Sequence, residues 1–294
     1  MAAVAEESDI VRWGVVRAAM GVAVLALTSF DAALAQGRLD ARYAVTLAGI
    51  PIGKGIWVVD IAETQYTAVA SGSTAGLLRV FASGQGSGGS RGSLTGGKLV
   101  PSSFAASITT DKKTEDIRIT LGAGDVKEYE IIPPHPPDPP ESERVPLTEA
   151  HRRGVSDPMT ASLVRMPGNG NPLGPKACER TAPIFDGRLR YNLQFAYKRM
   201  DQVKADKGYE GPVVVCAVTF VPIAGYIPTR TSIKYLRDQR DMEVWLAPIG
   251  TTRVLVPYRI SIPTPIGVGV LQATQFVALP PSPPHSAAAG PKMQ

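Results

Sequence analysis

Short runs in which apolar and polar residues alternate, each closed by a turn signal, fill residues 40–132 and return after residue 178. In DARYAVTL, Ala41, Tyr43 and Val45 alternate with Arg42, Ala44 and Thr46. The turn Gly49-Ile50-Pro51 follows, and IGKGIWVVDI, QYTAVASGS, SSFAASITT, EDIRITL and VKEYEII continue the series. A period of two places one face of a strand on a core and the other in water, and turn signals about every 8–15 residues suit a meandering antiparallel sheet. Two stretches are ambiguous: Thr74 to Phe81 reads as a helical turn or a strand start, and SGQGSGGSRGSL as a glycine-rich strand or a loop.

The tract PPHPPDPP at 133–140 interrupts this pattern, because proline cannot donate to a sheet ladder and favours an extended conformation. Ser156 to Met166 is the one stretch that reads as a helix. Ser156 or Asp157 can cap it, Pro158 suits its first turn, and the segment Pro167–Pro172 ends it. Beyond it, RLRYNLQFAYKRM sets Leu189, Tyr191, Leu193 and Phe195 on one face, and YEGPVVVCAVTFVPI, MEVWLAPI, RVLVPYRISI and GVGVLQATQFVAL follow. With 29 Gly and 26 Pro the chain favours short strands and turns over long helices. The expected fold is all-β and mainly antiparallel, a curved or partly closed, barrel-like sheet with one short helix. A single domain spans 36–279, its two β-rich halves are joined by 133–177, and residues 280–294 form a disordered tail.

Residues 11–35 have the parts of an export signal: Arg12 and Arg17, an uncharged apolar run from Ala18 to Thr28, and Ala33-Leu34-Ala35 as a small-x-small cleavage site. Cleavage between Ala35 and Gln36 is expected. The run is shorter than the roughly 20 apolar residues that span a bilayer. No Cys follows it, which argues against a lipid-anchored lipoprotein. Three acids and no base in residues 1–10 are unusual ahead of such a signal and point to a translation start at Val11. The first 35 residues contain Glu6, Glu7, Asp9 and Asp31 against Arg12 and Arg17, so their removal leaves a chain more basic than the +5 of the whole. That excess suits anionic surfaces such as lipid headgroups or simply a soluble surface, since no polybasic block stands out.

Export makes the cysteine count informative. Cys178 and Cys216 are the two cysteines, an even number for an oxidising compartment, and one disulfide between them is expected. Two buried free thiols are the alternative. Neither cysteine neighbours another Cys or a His, and there is no Cys-x-x-Cys, so metal and redox roles are disfavoured.

No motif carries catalysis. Gly84-Gln-Gly86-Ser-Gly-Gly89 matches a dinucleotide fingerprint formally, but SRGSLTGGKLVP cannot supply the helix the pyrophosphate needs. A strand in which missing side chains admit a neighbouring backbone is the simpler reading. Gly92 to Lys98 resembles a phosphate-binding loop, yet Leu99 stands where Ser or Thr must reach magnesium, and Pro101 blocks a helix. His135, His151 and His285 have no partner at metal-ligand spacing, and no G-x-S-x-G elbow is present. Asp186 and Glu210 flank strand-like runs and are the carboxylates to inspect for glycoside hydrolysis. Trp57, Tyr191, Phe195, Phe220 and Trp245 are read as core, although the same inward face of a curved sheet can enclose an apolar ligand.

Several segments together resemble the DUF3108 family, exported bacterial proteins named as a domain of unknown function. They are YAVTLAGIPIG, SDPMTASLVRM, CERTAPIFDGRLRYNL with Phe185-Asp186-Gly187-Arg188, GPVVVCAVTFVPIAGY and VPYRISIPTPIGVGVLQAT. The resemblance covers most of residues 40–278 and implies periplasmic residence and an all-β fold, by analogy with lipoprotein carriers whose long sheet curls around a helix. It brings no catalytic residues, cofactor or metal. The function expected is that of a non-enzymatic envelope protein holding a lipid, a lipoprotein or an envelope polypeptide in an apolar groove, with peripheral membrane contact and no nucleic acid. An envelope polysaccharide hydrolase and a scaffold that offers a strand edge are the alternatives. Nothing in the sequence sets the oligomeric state.

Overall fold

The computed structural model describes residues 36–75, 84–110, 113–134 and 143–280, all within the compact unit Leu34–Gln294. The export signal, the start at Val11, most of the 74–81 and 133–140 stretches, and the tail beyond Pro280 lie outside the described residues.

Alternation produces strands where it is regular. The first half supplies β1 (Gly37–Leu47), β2 (Ile50–Ile61), β3 (Gln65–Thr74), β4 (Gly84–Thr95), β5 (Lys98–Thr110), β6 (Thr114–Gly122) and β7 (Asp125–Ile132). A connecting stretch carries the short helix α1 (Pro158–Ala161) and β8 (Val164–Arg165). The second half supplies β9 (Arg180–Phe185), β10 (Arg190–Lys204), β11 (Lys207–Gly208), β12 (Glu210–Ala224), the helix α2 (Thr231–Asp238), β13 (Met242–Pro248), β14 (Val254–Thr264) and β15 (Gly267–Leu279). The strands form one sheet in the order β7-β6-β5-β4-β3-β2-β1-β15-β14-β13-β12-β10-β9, with β8 added to β14 and β11 to β15. The two halves therefore share one sheet, and the first and last strands pair antiparallel at its middle, Arg38 facing Leu279 and Leu47 facing Gly269.

The glycine-rich segment is β4. Its packing shows why side chains are missing there: a Cβ on Gly92 would lie 2.1 Å from the Val100 carbonyl oxygen and 2.7 Å from the Tyr66 ring.

The sheet curls until its two ends meet without a closing ladder. Residues 154–157 bridge the gap. Val155 donates its N–H to the Gly124 carbonyl in the β6–β7 turn, and Ser156 exchanges backbone hydrogen bonds with Pro183 and Phe185 of β9. Arg188 reaches Glu115 of β6 at 2.6 Å, and Tyr129 of β7 meets the Phe185 ring edge-on at 5.2 Å.

The interior of this curl is filled. Leu39, Val59, Tyr66, Val213, Tyr258 and Phe276 pack in one cluster drawn from both halves. Phe104, Ile119, Leu121, Val155 and Phe185 form a second cluster near the seam. Met159 of α1 packs against both, so α1 lies inside the curl. The opposite face of β12–β14 is covered as well: Val214, Cys216, Val244, Leu246 and Leu255 pack under Val164, Met166, Ala177 and Cys178. Two buried faces explain the uninterrupted apolar stretches VVVCAV of β12 and VWLA of β13.

The helix expected over 156–166 spans four residues. Of the two candidate caps it is Asp157 that serves, but Leu163 turns inward, and Val164 and Arg165 pair with Leu255 and Val254 of β14. An edge to pair with outweighs a modest helical preference. Sequence reading missed α2, whose Ile233 and Leu236 sit three residues apart and pack on Phe220 and Met242.

Candidate functional site

The connecting stretch positions the site. Asp157 is fully buried at the N-terminus of α1. One carboxylate oxygen accepts the Thr160 N–H at 2.9 Å, and the other accepts the Thr160 hydroxyl at 2.6 Å and the Ser90 hydroxyl at 3.0 Å. The Tyr66 hydroxyl lies 2.7 Å from Thr160 Oγ1. Burial raises the Asp157 carboxyl above its ordinary value despite these hydrogen bonds, and pushes Tyr66 up to about 12. The network fastens α1 to β3 and β4 inside the curl, and all four of its side chains are buried, Thr160 at the margin of an adjoining cleft.

Beyond α1 the chain leaves the interior as a strap over the outer face of β12–β14. The disulfide Cys178–Cys216 anchors it, with Cα atoms 5.4 Å apart. Arg253, in the β13–β14 turn, donates to the carbonyls of Met166, Pro167 and Gly170, and Arg165 donates to the Thr252 carbonyl.

A cleft of about 1360 Å³ opens between this strap, the β4–β5 and β6–β7 turns, and β9. Its walls are mostly small and apolar, with Leu99, Val100, Pro101, Leu163, Ala182 and Pro183 among them. The charged residues in the lining are Lys98, Arg165, Lys176, Arg180 and Arg253, and it contains no Asp or Glu. Among the described residues none of these five has a carboxylate partner within ion-pair distance. Arg180 is half-buried, donates to the Ala161 carbonyl at 3.0 Å and stacks 5.1 Å over Phe195. Burial holds Arg180 below the usual arginine value, and burial followed by the charge of Arg253 does the same to Arg165. Cations that share one apolar lining without a carboxylate among them create a local positive potential that an anion relieves.

The carboxylates singled out in the sequence do not meet. Asp186 accepts the backbone N–H groups of Arg188 and Leu189 in the turn before β10. Glu210 pairs with Lys204 at 2.8 Å at the far end of the β10–β12 ladder. The ladder separates them by on the order of 40 Å, against the roughly 5–10 Å of a glycosidase pair. His151 accepts the Thr148 N–H at its ring nitrogen in a 3-10 turn, and His135 and His285 lie outside the described residues. Among the described residues there is no group of three or more His, Cys, Asp or Glu that could hold a metal ion. Trp57, Phe220 and Trp245 are buried, and Tyr191 and Phe195 are partly so.

Sequence reading missed all five cleft cations. They come from four separate places in the chain, so no basic block marks them, and the overall basic excess was their only trace.

The fold and cleft define an all-β protein built on one curled antiparallel sheet, with a cationic, apolar-walled cleft beside an internal helix. Residues 42–274 match the family described as "Protein of unknown function (DUF3108)", and the chain belongs to that family. No curated protein and no solved structure matches it.

Proposed function

We propose that this protein is a non-enzymatic component of the bacterial envelope that binds an anionic lipid in the cleft. It is exported by the signal at residues 11–35, cleaved between Ala35 and Gln36, and acts in the periplasm. One observation carries the reading: a cleft of about 1360 Å³ with apolar walls, lined by five cations and no carboxylate. Small-molecule sites run to about 300–1,000 Å³, so this cleft suits a long-chain ligand. Acyl chains would lie on Leu99, Val100, Leu163 and Pro183, and the headgroup anion among Arg165, Arg180 and Arg253. The disulfide fits an oxidising compartment. A glycosidase of the two-carboxylate kind needs facing Asp or Glu side chains, and the described lining offers none.

The test is calorimetric titration with short-chain phosphatidylglycerol and phosphatidylcholine below their micellar concentrations. The expected result is preferential binding of phosphatidylglycerol. Exchanging the exposed Lys98 and Lys176 for Glu should weaken it by about tenfold, a change of about 1.4 kcal/mol. Absence of binding, or equal affinity for both lipids with no effect of the exchanges, refutes the proposal.

A further inference from the structure

A second surface, away from the cleft, concerns the four central strands β2, β1, β15 and β14. Residues 43–53 and 260–279 contain no Asp, Glu, Lys or Arg. These stretches include the β1–β2 turn and the β14–β15 turn at one end of the sheet, locked side by side. The Ala48 N–H donates to the Val268 carbonyl at 3.0 Å, and Gly267, at φ +124°, approaches so closely that a Cβ there would lie 2.6 Å from the Ala48 Cβ.

This end exposes large aliphatic side chains: Ile266 at 73%, Ile50 at 55%, Val268 at 44% and Ile262 at 36%. Isolated exposed aliphatics are ordinary, but these four gather at the tip of two joined hairpins, Ile50 and Ile262 on one face of the sheet and Val268 on the other, the face that carries Lys54 and Arg259. Turn positions favour Gly, Asn and Asp, so local structure gives no reason for Ile266.

The nearest charges inboard are cationic on three of the four strands. Lys54 and Arg259 stand in a single row across the sheet, with Ala44 paired to Lys54 and to Gln272, and Gln272 paired to Arg259. Arg42 lies two residues further in on β1. That row is three residues from the last pair of β1, about 10 Å along the strand. On the flank, Lys204 and Asp206 line a shallow depression beside Ala44 and Val268, and Glu210 pairs with Lys204.

We infer that this end of the sheet docks on the surface of an anionic phospholipid bilayer, with Ile50, Ile262, Ile266 and Val268 entering the interface and Lys54, Arg42 and Arg259 meeting the headgroups. Interfacial segments bury their apolar face about 5–10 Å deep, which matches the height of the charge-free tip, and the cationic collar complements anionic lipid. The inference is independent of the cleft ligand.

The test is co-sedimentation of the mature protein with vesicles of phosphatidylglycerol and phosphatidylethanolamine, against vesicles of phosphatidylcholine. We expect binding to the anionic vesicles that weakens as salt rises. The double exchange Ile50→Ser/Ile266→Ser should reduce it by about tenfold or more. Lys54→Glu should reduce binding to anionic vesicles alone. The circular dichroism spectrum and the titration of the cleft with soluble phosphatidylglycerol should be unchanged in these variants, which separates failure of the tip from failure of the cleft. Wild-type protein that stays in the supernatant overturns the inference, as does a double variant that sediments equally well. A wild-type dimer in light scattering that the double variant converts to monomer also overturns it, in favour of contact between two copies.

Discussion

Asp157 combines a helix cap with a fully buried charge, and the two roles can be separated by substitution. Truncation to Ala leaves the Thr160 N–H without its acceptor and removes one partner of the Ser90 and Thr160 hydroxyls, which still lie 2.8 Å from each other. The expected loss is about 2–3 kcal/mol in urea unfolding, the cost of unsatisfied buried groups together with a lost cap. Asp157→Asn keeps an acceptor for the Thr160 N–H and supplies donors to the hydroxyls, so its loss should be below about 1 kcal/mol at pH 7. The pH dependence has a definite sign. Burial raises the folded-state pKa of Asp157. Between the unfolded value near about 3.9 and that raised value the native state holds more protons, so stability falls as pH rises through the window. Wild type should therefore compare best with Asp157→Asn near pH 4 and less well at pH 7; a pH-independent difference between them contradicts the burial argument. The cap itself was legible in the sequence, because Asp-Pro before an apolar stretch is a local signal. Ser90 and Tyr66 were not legible as its partners, since they sit on β3 and β4 far back in the chain, and only the curl of the sheet brings them near.

Regular strands were the most legible elements, since period-two burial shows directly in segments such as Leu39, Ala41 and Tyr43 of β1. The strap between α1 and β9 was the least legible. Its local pattern favours a longer helix, and only pairing with β14 and burial against Val214 and Leu246 decide otherwise. The disulfide fixes this strap to β12 and with it the wall of the cleft that carries Arg165 and Lys176. Closing a separation of 38 residues restricts the unfolded chain by about 4 kcal/mol in the entropic treatment. The Cys178→Ser/Cys216→Ser protein should lose a stability of that order, less any relaxation, when measured by denaturant unfolding against the oxidised wild type. Under conditions where it stays folded, its affinity for phosphatidylglycerol should also fall, because the strap no longer holds the arginines in place. Equal affinity in the folded variant would show that pairing with β14, burial and the Arg253 hydrogen bonds hold the strap without the disulfide.

At the scale of the whole molecule, one sheet holds both halves of the chain, and its ends are joined by side chains and a bridging segment where a barrel would have a ladder. Hydrophobic periodicity carries no record of that arrangement, because alternation looks the same in an open meander, a closed barrel and a curl that stops short. Charge pairing across the seam follows instead from two distant residues, Glu115 at the start of β6 and Arg188 in the Phe-Asp-Gly-Arg turn after β9. Burial alone would raise the Glu115 pKa, but the Arg188 guanidinium, helped by Lys113, outweighs it and holds the carboxyl below its ordinary value. A lowered folded-state pKa contributes stability that is present above the unfolded value of about 4.3 and lost as pH falls through the folded value. Replacing Glu115 by Gln should lower stability by about 1.5–3 kcal/mol at pH 7, the range for a hydrogen bond to a charged group. The wild-type and variant curves should converge in acid, once Glu115 is protonated in the wild type. Native-state hydrogen exchange should localise the effect: amides of β6, β7 and β9 should open first in the variant, while β1 and β15, paired at the middle of the sheet, should keep their protection. Uniform loosening of all strands would mean that the seam is energetically part of the core, and that the two ends of the sheet do not separate before global unfolding.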